Sequence, residues 1–183
     1  MAAISSNTTQ AQGIRTLFTK LGFASAEIDK VITNVFQKYI GNSGYTAAIE
    51  AFLKAANAPS PAQSSSWKWS ATLDGCCIAP KSHEVLLNNP KARLLRVTIP
   101  PNTTEPIHTH GVPSVMLVLE PTKIAFYDLK EVPEASWPAE MAKPRPPFDS
   151  TVGAFALPPE PPHAVGNLDQ NKTYLALRLE LKS

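Results

Sequence analysis

Hydrophobic positions recur every three or four residues through the first third of this chain, then every second residue, in short runs, through the rest. Ile14, Leu17, Phe18 and Leu21 share one helical face. Ile28, Ile32, Val35, Phe36 and Tyr39 share another after Ser25, and Tyr45, Ala48, Ile49, Phe52 and Leu53 a third after Ser43. These stripes predict three short amphipathic helices, with Ser25 and Ser43 as caps and Gly41 as a stop. A helical region of residues 1–58 has too little core to stand alone, so its stripes are expected to pack on the rest of the chain or on a second subunit. Residues 59–66, "PSPAQSSS", read as a linker.

From Trp67 the pattern changes to strand-length runs cut by Pro, Gly and Asn: 67–73, 83–87, 92–99, 107–110, 115–119, 123–129, 153–157 and 174–181. Such runs, with no helices between them, predict an antiparallel sandwich or barrel over residues 67–183. All 18 prolines lie from Pro59 onward, where strand ends and loops accept them. The stretch from Val132 to Phe148 carries five of them and reads as a long excursion between strands, a lid or a mobile loop.

Composition narrows the function. The 183 residues suffice for one domain and an appendage. The net charge of +2 comes from scattered lysines and arginines, without the basic stripe that tracks nucleic acid. The longest apolar run, Val115 to Leu119, is far below the roughly 18 residues of a membrane span, and the first residues lack the charged start and apolar stretch of a secretory signal. A cytoplasmic protein with neither membrane nor nucleic acid as partner is the expectation. Cys76 and Cys77 are adjacent, a spacing that suits neither a disulfide nor a CxxC metal site, and are read as reduced and structural.

Two of the four histidines fall in "PIHTHG", at His108 and His110. On a strand, residues two apart share a face, with Cα atoms roughly 6.6 Å apart, so both imidazoles can share a metal. His163 follows a proline-rich run, Leu157 to Pro162, as a third candidate. Three neutral imidazoles around a divalent ion leave coordination positions open, as catalytic sites do. His83 has no such neighbours in the sequence. The plainer alternative is that these histidines are hydrogen-bonded core or rim residues.

These segments resemble the two motifs of the cupin superfamily. The first runs Gly, five residues, His-x-His, three or four residues, Glu, six residues, Gly; the second ends Pro-x-Gly-x-x-His-x-x-x-Asn. His108 and His110 match the His-x-His, Pro158 the proline, His163 the second-motif histidine and Asn167 the closing asparagine. The resemblance implies a mainly β fold, a cupin (jelly-roll) β-barrel preceded by a small α-helical N-terminal region, with His108, His110 and His163 as metal ligands. Asn102 stands where the first glycine is expected, a tolerable exchange because Asn accepts left-handed conformations. Glu160 replaces the second-motif glycine, and the family's glutamate ligand would fall at Ser114 or Val115, neither a carboxylate.

The remaining three-histidine set is similar to that of thiol dioxygenases such as cysteine dioxygenase, although their Ser-His-Tyr run has no counterpart here. The expected function is therefore a metal-dependent enzyme of non-haem dioxygenase type, an oxidoreductase acting on a small anionic molecule. Ferrous iron is the first expectation as cofactor, with zinc, nickel or manganese as alternatives. An isomerase, lyase or decarboxylase on the same site is a second reading, and a non-catalytic small-molecule-binding protein a third. Glu160 and Tyr127 are candidate catalytic groups, while Arg96, Met116 and Tyr174 are candidate substrate contacts, with barrel packing or the surface as their alternative. A homodimer is an expectation from the fold.

Overall fold

The computed structural model describes residues 2–58 and 67–182; the expected linker at 59–66 lies outside the described residues. Three helices open the chain: α1 (Ala2–Lys20), α2 (Ser25–Asn34) and α3 (Ser43–Asn57). Gly22 and Gly41 take positive φ values of 86° and 77° in the turns after α1 and α2, a conformation open to glycine at little cost. The caps lie one residue earlier than expected. Ala24 precedes α2, its N–H bonded to Glu27 Oε2 at 3.0 Å, and Asn42 caps α3 by accepting from the Gly44 N–H at 3.0 Å. The second stripe also breaks at Val35, so that Phe36–Lys38 forms a short 3-10 turn.

Ten antiparallel strands follow: β1 (His83–Asn88), β2 (Ala92–Ile99), β3 (Thr103–Thr104), β4 (His108–His110), β5 (Ser114–Glu120), β6 (Lys123–Asp128), β7 (Phe148–Asp149), β8 (Gly153–Leu157), β9 (Glu160–Asn167) and β10 (Tyr174–Leu181). They form two sheets. The first has the order β1-β2-β10-β5-β8; the second has β3-β9-β6-β7, with β4 also paired to β9. Among the described residues the two sheets do not close into one hydrogen-bonded barrel, so the barrel expectation is corrected to two separate sheets. The expected strand at 67–73 is absent. Ser70 Oγ and Asp74 Oδ1 instead accept from backbone N–H groups two residues on, setting a 3-10 turn at Ala71–Leu73 and the short α4 (Gly75–Ile78).

The helices dock on the chain's own first sheet. Ile14, Phe18, Ile28, Phe36, Ile49 and Phe52 are buried in one cluster with Leu94, Val115, Leu117, Leu177 and Leu179. Alternation sends Val97, Ile99, Val118, Tyr174 and Ala176 to the opposite face, where they meet Ile124 of the second sheet. The first sheet therefore has one face toward the helices and one toward the space between the sheets. Asn102, at φ 51°, is the only described non-glycine residue with positive φ, as its place in the motif leads one to expect. Asn167 is fully buried and pins three chain segments, donating to the carbonyls of Ile99, Pro100 and Lys172.

The excursion after β6 is partly ordered, with α5 (Trp137–Met141) held by a Trp137 Nε1–H bond to the Val132 carbonyl. Arg145 from this segment lies over the Tyr127 ring, its Cζ 5.6 Å from the centroid. No described helix is long and apolar enough to cross a membrane.

Candidate metal centre

All four histidines meet between the sheets. His83, His108, His110 and His163 are 3%, 1%, 1% and 4% exposed. The His108 and His110 rings are 5.1 Å apart, and His163 lies 4.4 Å from His108, opposite which it pairs across β4 and β9. His83, expected to stand apart, lies 4.5 Å from His108 and 5.2 Å from His110, which corrects that expectation.

The orientation of the rings is held from behind. His108 and His163 each donate Nδ1–H to the carbonyl of the proline two residues earlier, Pro106 at 2.9 Å and Pro161 at 2.8 Å. His110 donates Nδ1–H to Glu180 Oε1 at 2.7 Å. With the proton on Nδ1, each of these rings offers a bare Nε2 as ligand, the tautomer seen in metal-binding histidines. Ligand atoms of His83, His108 and His110 lie within 4.8 Å of one another, as do those of His110, Glu160 and His163. Gly75 walls the cluster: an added Cβ would sit 3.1 Å from both the His83 and His110 rings and 3.2 Å from His108.

Burial, reinforced by the nearby Arg178 charge, lowers the His83 imidazole to about 4. Burial and the His163 ring lower His108 to about 2, and burial holds His110 and His163 below the ordinary imidazole value as well. All four are neutral at neutral pH, as ligands must be. Their number, neutrality, convergence and common burial fit a divalent cation. The Glu160 carboxyl is pushed up by burial, but Arg178 outweighs this and holds it below the usual range, so the cluster also contains an ionised carboxylate.

Beneath the rings runs an ionic chain that the sequence reading missed. Glu180, with no exposed surface, binds His110 through Oε1 and Arg93 Nε through Oε2 at 2.5 Å; Arg93 in turn reaches Asp74 at 2.8 Å. Arg178, 1% exposed, is paired with Glu160. Burying such charges is costly unless each finds a partner, and this chain supplies partners for most of them.

The remaining candidates divide. Arg96 lies on the other face of β2, paired with Glu84 at 3.4 Å, because alternation from inward Val97 turns it away; its expected substrate contact is corrected to a partly exposed ion pair. Tyr127 faces outward from β6, opposite Ala164 and under Arg145, so its expected catalytic place is also corrected; the inward positions are Phe126 and Asp128. Phe126, 40% exposed, stacks on His163 with centroids 5.4 Å apart. Met116 and Tyr174 do face inward, the Tyr174 hydroxyl donating to the Met116 sulfur at 3.6 Å. Cys76 and Cys77 are free, and burial pushes the Cys76 thiol up to about 12, so it stays protonated.

No family model and no curated protein matches the chain. Among solved structures it is similar to a cupin domain from Bordetella pertussis, at 15% identity over 55% of this chain and 92% of that one, with a TM-score of 0.43. An RmlC-like cupin family protein from Methanocaldococcus jannaschii matches at 10% identity over 54% and 77%, TM-score 0.38. A cupin superfamily protein from Desulfitobacterium hafniense matches at 9% identity over 55% and 76%, TM-score 0.36. These neighbours are cupin-domain proteins. The ligand atoms of His83, His108 and His110 are placed so that they could hold a metal ion.

Proposed function

We propose that this chain is a metal-dependent enzyme of non-haem dioxygenase type acting on a small anionic molecule, with ferrous iron held by His108, His110 and His163. The observation that carries this reading is the set of three buried neutral imidazoles whose Nδ1 protons are all engaged behind them. A bound divalent ion supplies Lewis acidity and, where it is redox-active, electrons for dioxygen. The protein's own groups do the rest. Glu180 fixes the His110 ring, Phe126 presents apolar surface at the cluster, and Glu160 offers a carboxylate either as an additional ligand or to hold a proton. His83 stands beside His108 and His110 as an alternative ligand.

The test is the metal content of protein purified without chelator or histidine tag, beside the His108→Ala variant, followed by oxygen uptake with small carboxylates and thiols. About one iron per chain, lost in the variant, with substrate-dependent uptake, is the expected result. Stoichiometric metal with turnover but no oxygen consumption would replace this reading with an isomerase, lyase or decarboxylase. No metal in either sample, even after ferrous iron, zinc or nickel is added, would leave a small-molecule-binding protein.

A further inference from the structure

The buried guanidinium of Arg178 has more hydrogen-bonding capacity than the protein uses. Its Nη1 is taken by Glu160, but Nε and Nη2 have no hydrogen-bond partner although both are buried, and the nearest carboxylate oxygen to Nε, Glu180 Oε1, is 3.8 Å away. An unmet buried donor costs roughly 1–3 kcal/mol, and more on a charged group. Nε–H and one Nη–H form a fork that matches the two oxygens of a carboxylate, which makes this the edge suited to bidentate recognition.

The surroundings point the same way. Arg178 lies inward on β10 opposite Met116 of β5, and its neighbour on that ladder, the Glu180–Ser114 pair, brings up a second buried group without a partner, Ser114 Oγ. The Nη1 partner of Arg178, Glu160, has a ligand oxygen within 4.8 Å of the His110 and His163 ligand nitrogens, so the guanidinium borders the cluster.

We propose that the Nε and Nη2 edge of Arg178 receives the carboxylate of a small monocarboxylic substrate at the histidine cluster. This rests on the function proposed above for its chemistry, though not for its binding. Arg178 is then the residue that selects acids over their neutral analogues.

The experiment measures binding of propionate and lactate, each beside its amide, by calorimetry on zinc-loaded and metal-free protein. Zinc keeps the site free of redox turnover. Wild type is expected to bind each acid at least tenfold more tightly than its amide. Arg178→Lys, which keeps the charge and loses the fork, should lose most of that preference, and Arg178→Met all of it; thermal melts show that each variant folds. Equal binding of acid and amide by wild type, as when an ordered water occupies the fork, overturns the proposal, as does a folded Arg178→Lys with undiminished preference. If the protein takes up no metal, the proposed function fails by itself, and the acid preference of the metal-free chain still decides the role of Arg178.

Discussion

One strand shows two opposite solutions to burial. From β10, Leu177 and Leu179 enter the apolar cluster beneath the N-terminal helices, while Arg178 and Glu180, as deeply buried, enter the ionic chain beneath the histidines. The helix side is stabilised by removing hydrocarbon from water, which is non-directional and tolerant of exchange between similar shapes. The histidine side is stabilised only while every charge keeps its partner, and its groups have fixed directions. Neighbouring residues 3.3 Å apart along the backbone thus obey different rules. The first face is a hydrocarbon core, and the second carries the candidate metal centre.

The sharpest way to break this contrast is Glu180→Ala. It strips a partner from His110 and Arg93 together, so a loss of roughly 3–5 kcal/mol is expected, accompanied by a fall in metal content. Denaturant unfolding and metal analysis on the same sample check it. Leu177→Ala, one face over, should cost about 2–5 kcal/mol through the cavity it leaves, yet folded protein should hold as much metal as wild type. Equal metal loss in both variants would show that the two faces are not separable.

Acid should attack the histidine face selectively. In metal-free protein the unfolded chain protonates its imidazoles near pH 6.5, while His83 waits until about 4 and His108 until about 2. Between pH 6.5 and 4 the unfolded state therefore binds more protons, and stability falls as pH falls, by about 1.4 kcal/mol per pH unit for each such proton. Glu105 works in the other direction. Burial raises it to about 7, so its contribution is present below the unfolded value of 4.5 and is lost as pH rises toward 7. Four imidazoles outnumber one carboxyl, so melting temperature should drop from pH 7 to pH 5, and more steeply in Glu105→Gln. A flat profile would mean that the rings are not held neutral by burial.

The smallest effect is expected at Arg96→Ala. Its partly exposed pair with Glu84 lies away from the histidines, so stability should change by no more than about 1 kcal/mol and metal content not at all.

These contrasts also explain what the sequence could convey. The helical stripes and most strands were legible because each has a period matching its backbone, and the motif spacing marked His108, His110 and His163. His83 was hidden by a bulge between Val85 and Leu87, which swaps the phase of β1 so that Leu87 turns to the helices and His83 to the site. Arg178 and Glu180 were hidden by the plainness of "LALRLEL". Such alternation ordinarily puts the charged face in water, and only the docked helices, by covering the leucine face, reverse it. That Arg96 turns away from the site follows from the strand's phase, which long-range pairing supplies. Tyr127 was misplaced for the same reason, one residue from inward Phe126.

The proline carbonyls behind His108 and His163 have a kinetic consequence. Both belong to a repeated Pro-x-His step in which the backbone holds the ring two residues on. Loading such a centre requires little rearrangement of the protein, because the conformational cost of lining up the donors was met during folding. The speed of capture should then follow how readily each ion sheds its own water, ordering different metals by their hydration rather than by any motion of the chain.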